Sequence, residues 1–255
     1  MTALSAKKSS VSSLRPALSS QDIHLWLCHR HSVHNADAWR RSVLSQYASI
    51  APDQWCFSRS ANGKPQIANA ASKLAFNASD SGDYLACAVT RSAAVGVDLE
   101  YCATKRDVLR LAQRFFHPME VARLESLSVA DRQHAFHDYW TLKEAHIKAL
   151  GATLGAALEN TAFDLQYGAQ KEDVGRVAQV SRVRSESVYF VLEPMPDYRL
   201  AVCAISPATG WRLSMFEQDQ AGRVKALQPR LIALSEGAVS RSPRPSPRSR
   251  SASPR

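Results

Sequence analysis

The sequence predicts an α+β fold made of two similar halves related by a pseudo-two-fold axis. Three observations lead there. Short runs with the two-residue apolar period of half-buried strands lie on both sides of a helical stretch at 105–150. A weak internal repeat sets Asp83-Tyr84-Leu85-Ala86-Cys87-Ala88-Val89 against Asp197-Tyr198-Arg199-Leu200-Ala201-Val202-Cys203-Ala204-Ile205. The 255 residues, 45% of them hydrophobic, suffice for one large domain or two small ones.

The elements follow in order. Residues 23–28 alternate as a strand, 37–48 read as a helix and 55–57 as a short strand. Asn62-Gly63-Lys64-Pro65 forms a turn of the kind Gly and Pro favour. Residues 74–77, 84–89 and 94–100 read as three strands. Residues 105–116 make a helix with Val108, Leu111, Ala112 and Phe115 on one side. His117-Pro118-Met119-Glu120 opens another, with Pro118 suited to the first turn. Residues 130–150 form a longer helix that Gly151 ends. Strands are expected near 161–166, 187–193, 198–205 and 211–217. The expected organisation is a disordered segment 1–20, halves at 21–103 and 104–218, and a C-terminal extension 219–255, disordered from about 237.

The net charge of +9 looks like a nucleic-acid signal until it is localised. Residues 1–20 carry +3 and 237–255 carry +5, so 21–236 are left with +1. An RNA-binding reading would rest on the Ser/Pro/Arg tail alone, and no specific nucleic-acid partner is expected. No apolar run reaches about 18 residues, so no membrane span is expected. Five scattered cysteines without a C-x-x-C suit a reducing cytoplasm. Cys28-His29-Arg30-His31 with His34 fits no zinc spacing.

Two acidic segments carry the chemistry. In Gly96-Val97-Asp98-Leu99-Glu100, read as a strand, Asp98 and Glu100 point to one face. In Trp140-Thr141-Leu142-Lys143-Glu144-Ala145-His146-Ile147-Lys148, read as a helix, Glu144 and Lys148 project together. If strand and helix pack together, three carboxylates and two lysines meet in one small volume. Three oxygen ligands suit Mg2+, which keeps substrate phosphates in its shell. The blander reading, a solvated strand end and an i,i+4 ion pair of a few tenths of a kcal/mol, competes with it.

With these in order, the chain resembles the Sfp-type 4'-phosphopantetheinyl transferases. The resemblance is carried by Gly63-Lys64-Pro65, Phe76-Asn77-Ala78-Ser79-Asp80, Gly96-Val97-Asp98-Leu99-Glu100, Arg114-Phe115-Phe116-His117-Pro118-Met119-Glu120 and the segment Trp140 through Lys148. It covers roughly residues 40–215. It implies transfer of phosphopantetheine from coenzyme A to a serine of an acyl or peptidyl carrier protein in fatty-acid or secondary-metabolite synthesis, releasing 3',5'-ADP. By that resemblance Asp98, Glu100 and Glu144 hold Mg2+, and Lys148 touches the phosphate. Glu144, or Glu120 through water, takes the serine proton. Lys64 and Pro65 border the nucleotide, Ser79 bonds the 3'-phosphate, and Lys143 is a further phosphate contact. Asp80 stands where the family carries His, and its charge would repel that phosphate. The shortened N-terminal region leaves Arg40 and Arg41 as substitutes. A diverged member that binds carrier or nucleotide with weak or no turnover is the alternative. Two halves in one chain favour a monomer.

Overall fold

The computed structural model describes residues 16–69, 72–91, 93–103, 106–153, 158, 161–170, 172–180, 186–219 and 222–239. The expected disorder at 1–15 and 240–255 lies outside them. In chain order come β1 (Asp22–His29), α1 (Ala36–Leu44), β2 (Phe57–Arg59), β3 (Pro65–Ile67), β4 (Leu74–Ser81), β5 (Tyr84–Arg91) and β6 (Ala94–Tyr101). Then come α2 (Val108–Phe115), α3 (Pro118–Glu125), α4 (Val129–Leu150), β7 (Phe163–Gln166), β8 (Gly175–Gln179), β9 (Ser187–Glu193) and β10 (Tyr198–Ile205). β11 (Trp211–Gln218), β12 (Val224–Leu227), β13 (Arg230–Leu234) and β14 (Ala238–Val239) complete the chain.

Two sheets form, ordered β12-β11-β1-β5-β4 and β6-β10-β9-β13-β8-β7, with β14 on β11 and a small β2–β3 hairpin apart. Alternation along the strands sorts their side chains into three cores. Ile23, Leu25 and Leu27 of β1 join Val95, Val97 and Leu99 of β6 and Leu200 and Val202 of β10 in the layer between the sheets. Trp26 and Cys28 turn the other way, onto Trp39, Val43 and Leu44 of α1. Ala201 and Cys203 of β10 meet Leu142, Ala145 and Ala149 of α4. The order of layers is therefore α1, first sheet, second sheet, α4.

The repeat has a topological counterpart. β1, α1 and the β4–β5 hairpin give the order β1-β5-β4, with β5 antiparallel to both neighbours. β6, α4 and the β9–β10 pair give β6-β10-β9 in the same manner. The repeated segments Asp83–Val89 and Asp197–Ile205 thus form the middle strands of equivalent units. Hydrogen bonding does not follow a 103/104 division: β6 belongs to the second sheet, and β11 lies parallel to β1 in the first.

Local chemistry sets the element ends. Asn35, not an apolar residue, starts α1 by accepting from Ala38 N. Pro118 sits in the first turn of α3, where Glu120 closes a capping box on His117 N at 2.9 Å. Ser128 caps α4, and Gly151 ends it in the left-handed region at φ 68°. Three expectations change. Trp55 is no strand residue but a buried anchor whose indole donates to Ser45 Oγ at 2.9 Å. The stretch after 218, expected as an extension disordered from about 237, is built into both sheets: β12 pairs with β11, β13 inserts between β9 and β8, and β14 at 238–239 pairs with β11. Likewise Leu18 is buried in the α1 core, so the ordered chain begins before 21.

Candidate active site between β6 and α4

The acidic strand and the Trp140–Lys148 helix do pack together, backbone on backbone. At Gly96 a Cβ would lie 2.0 Å from Ala145 O and 2.5 Å from Ala149 N, so only glycine admits α4 this closely. That approach sets Asp98 and Glu100, two and four residues on, beneath the side chains of Glu144 and Lys148. Lys148 Nζ sits 2.6 Å from Asp98 Oδ1 and 3.3 Å from Ser79 Oγ.

A side-chain ladder from β4 holds the strand. Asn77 Oδ1, Ser79 Oγ and Ser81 Oγ, spaced two apart on one face of β4, accept from Val97 N at 2.9 Å, Leu99 N at 3.3 Å and Tyr101 N at 3.0 Å. The two hydroxyls pass the bond on. Ser79 donates to Asp98 Oδ1 at 2.9 Å and Ser81 to Glu100 Oε2 at 3.2 Å. Each serine thereby fixes one carboxylate while stitching the first sheet to the second.

Burial dominates the electrostatics, with like charges adding to it at Glu144 and Glu100. Burial, followed by the neighbouring Asp98 and then Glu100, pushes Glu144 up to about 7. Glu100 is raised by burial and by Asp98, and Asp98 is raised by burial although Lys148 opposes it. Among the described residues no three His, Cys, Asp or Glu side chains are gathered closely enough to enclose an ion as they stand. The donors nevertheless suit a hard cation. Asp98 Oδ2 is buried without a hydrogen-bond partner, and three all-oxygen ligands repel one another until a cation joins them.

Residues 94–203 match the sequence profile of the 4'-phosphopantetheinyl transferase superfamily. The 4'-phosphopantetheinyl transferase HetI of Nostoc sp. is 33% identical over 174 residues, 68% of this chain and 69% of that protein. The chain belongs to the 4'-phosphopantetheinyl transferase family. Sfp of Bacillus subtilis, a transferase of the same name, is 29% identical over 184 residues, 70% of this chain and 77% of its own. A holo-(acyl-carrier-protein) synthase from Bacillus anthracis, solved with CoA (3',5'-ADP), superposes with a TM-score of 0.35 at 16% identity over 44% of this chain and 94% of that one.

Not every expected site residue of the transferase reaches the cluster. Glu120 and Lys143 form an ion pair at 2.8 Å with both side chains fully enclosed. Glu120 Oε1 also accepts from Phe163 N at 2.9 Å, and Lys143 Nζ donates to Leu158 O at 2.9 Å and to Thr161 O. Both groups are thus engaged by protein partners and have no exposed side-chain surface. The pair ties α3, α4 and β7 together.

Asp80 is not a bare anion. On the opposite face of β4 from Ser79 and Ser81, it pairs with Arg30 at 2.6 Å, both side chains largely exposed. The expected repulsion of a phosphate is therefore offset by a guanidinium. Ser79 is already engaged by Leu99 N, Asp98 and Lys148. Lys64 Nζ faces the end of α4, donating to Lys148 O at 2.5 Å and Val95 O at 3.1 Å, while Pro65 begins β3 beside it. Arg40 and Arg41 both bond Asp37, and Arg41 also donates to Trp55 O. Ser81 was not singled out by the sequence. The period of two through Asn77, Ser79 and Ser81 was the available signal.

Proposed function

We propose that this chain moves the 4'-phosphopantetheinyl group of coenzyme A onto a serine of an acyl or peptidyl carrier protein, releasing 3',5'-ADP, with Mg2+ held by Asp98, Glu100 and Glu144. Family membership supports the reaction class, and the observation that carries the site is the pairing of Lys148 with buried Asp98 at 2.6 Å, with Glu100 and Glu144 near enough to act on Asp98 electrostatically. The serine oxygen forms the new bond to the β-phosphorus of CoA, the P–O bond to the 3',5'-ADP moiety breaks, and the serine proton goes to a base. Bound Mg2+ would neutralise charge on the diphosphate and on the leaving phosphate.

The protein's own groups supply the rest. Lys148, held at 2.6 Å by Asp98 with 28% of its side chain exposed, presents an ammonium that can stabilise or protonate the leaving oxygen. Glu144, held up to about 7 by burial and by Asp98 and Glu100 in the absence of a cation, would be ionised by the Mg2+ it holds. Ser79 and Ser81 keep Asp98 and Glu100 in their rotamers.

The alternative, a diverged binder with weak turnover, drew on the charge of Asp80 and on the shortened N-terminal region, and Arg30 offsets the first of these. We place the reaction in the cytoplasm on the strength of five unpaired cysteines. Among the described residues no helix is long and apolar enough to cross a membrane. Both equivalent units reside in one chain, which supports a monomer. The test is release of 3',5'-ADP from CoA and Mg2+ in the presence of an apo carrier. Release with the serine carrier and none with its Ser→Ala variant is expected; no release across fatty-acid, polyketide and peptide carriers would overturn the proposal.

A further inference from the structure

Among the described residues the Asn62-Gly63-Lys64-Pro65 turn bonds none of the three carboxylates, yet it grips both elements that carry them. Lys64 Nζ donates to Val95 O, at the start of β6, and to Lys148 O, in the last turn of α4. Asn62 Nδ2 donates to Gly151 O, just past that helix, at 2.7 Å. The turn itself is fixed: Gly63 sits at φ 79°, Gly63 N donates to Ser60 O at 2.8 Å, and Lys64 N donates to Ser60 Oγ at 3.1 Å. Lys148 O also accepts from Gly151 N at 3.3 Å, and the last carbonyls of an α-helix carry the negative end of its dipole, so an ammonium there is favoured. Lys64 has no carboxylate within ion-pair distance among the described residues, and burial lowers its pKa. Its hydrogen bonds go to two backbone carbonyls from different elements.

We infer that Lys64, assisted by Asn62, is a positioning residue that locks the end of α4 onto β6 and so sets Lys148 and Glu144 over Asp98. The contact at Gly96 limits how near the helix can come; the Lys64 bridge limits how far it can leave. Lys148 is bound twice, through its ammonium to Asp98 and through its carbonyl to Lys64. Through these two bonds Lys64 acts on the alignment of the reacting groups. The inference rests on the proposed transferase reaction, and wild-type turnover measured in parallel separates failure of that reading from failure of this one.

The experiment compares wild type, Lys64→Met, Lys64→Arg and Asn62→Ala. Amide hydrogen exchange at 149–152 is read first, without substrate, and is expected to quicken in Lys64→Met and Asn62→Ala. In the transfer assay Lys64→Met is expected to lose kcat by on the order of 10- to 100-fold, the scale of an ångström-sized misplacement, with KM for CoA changed less than threefold. Lys64→Arg, which can still reach both carbonyls, is expected to recover part of the loss. A raised KM for CoA with kcat intact would overturn the inference in favour of a nucleotide contact, and so would unchanged exchange and unchanged kcat. Should Lys64→Met fail to fold, the exposed Asn62→Ala variant decides: wild-type exchange and wild-type kcat in it would overturn the inference.

Discussion

Glu144→Gln should abolish transfer and, without metal, stabilise the protein, two effects that a merely structural acid would not combine. Glu144 titrates at about 7 when folded against a reference value of 4.5. The sign follows from the raised value. Below pH 4.5 the carboxyl is neutral in both states. As pH rises the unfolded chain loses the proton first, and the folded form loses stability until about pH 7. At about 1.4 kcal/mol for each pH unit between the two values, the loss approaches about 3 kcal/mol. Glutamine keeps the shape and does not titrate. In EDTA the variant should therefore match wild type near pH 4.5 and exceed it by up to about 3 kcal/mol at pH 8. For a chain of this size that is a rise of roughly 6–12 °C in Tm. Saturating Mg2+ should close the gap, since an ion at a hundred times its Kd adds about 2.7 kcal/mol to the form that binds it. Urea titrations or calorimetry at pH 5, 6, 7 and 8, with and without Mg2+, give the comparison. Parallel stability curves for the two proteins across this range, or wild-type turnover in the variant, would refute the reasoning.

Gly96→Ala should lower stability by about 1–3 kcal/mol, because its Cβ would fall 2.0 Å from Ala145 O and push α4 off β6. Turnover should drop with it, and a wild-type Tm with full activity would show that the close approach is not needed. Ser81→Ala removes the hydroxyl that donates to Glu100 Oε2 at 3.2 Å. The Mg2+ concentration for half-maximal activity should rise by roughly tenfold, the lower range for lost partners of metal ligands, with KM for the carrier unchanged. Superimposable Mg2+ activation curves would contradict it.

Much of this arrangement is legible in the sequence because it obeys simple periods. Two-residue alternation put Asp98 and Glu100 on one face of a strand, and four-residue spacing joined Glu144 to Lys148. Gly151 and Pro118 marked helix ends by backbone rules that need no tertiary information. The misses share a different cause. By the resemblance Glu120 was expected to take a proton through water and Lys143 to contact a phosphate, and nothing local reveals that the two pair with each other inside the α3–α4 core. Asp80 looked like a lone anion because its partner, Arg30, is fifty residues away. β13 was missed since a short strand inserted between β9 and β8 is defined by its neighbours rather than its own pattern. The role of Lys64 likewise depends on where the end of α4 arrives.

The central claim, that Asp98, Glu100 and Glu144 hold the ion on which transfer depends, is tested most directly by intact-mass analysis of an apo carrier protein. The carrier is incubated with this chain and CoA in EDTA, then again after excess Mg2+ is restored. The account predicts an unchanged mass in EDTA and the gain of one phosphopantetheinyl group on the acceptor serine with Mg2+, the gain being lost with Asp98→Asn. Full modification in EDTA, or by the Asp98→Asn variant, would contradict it.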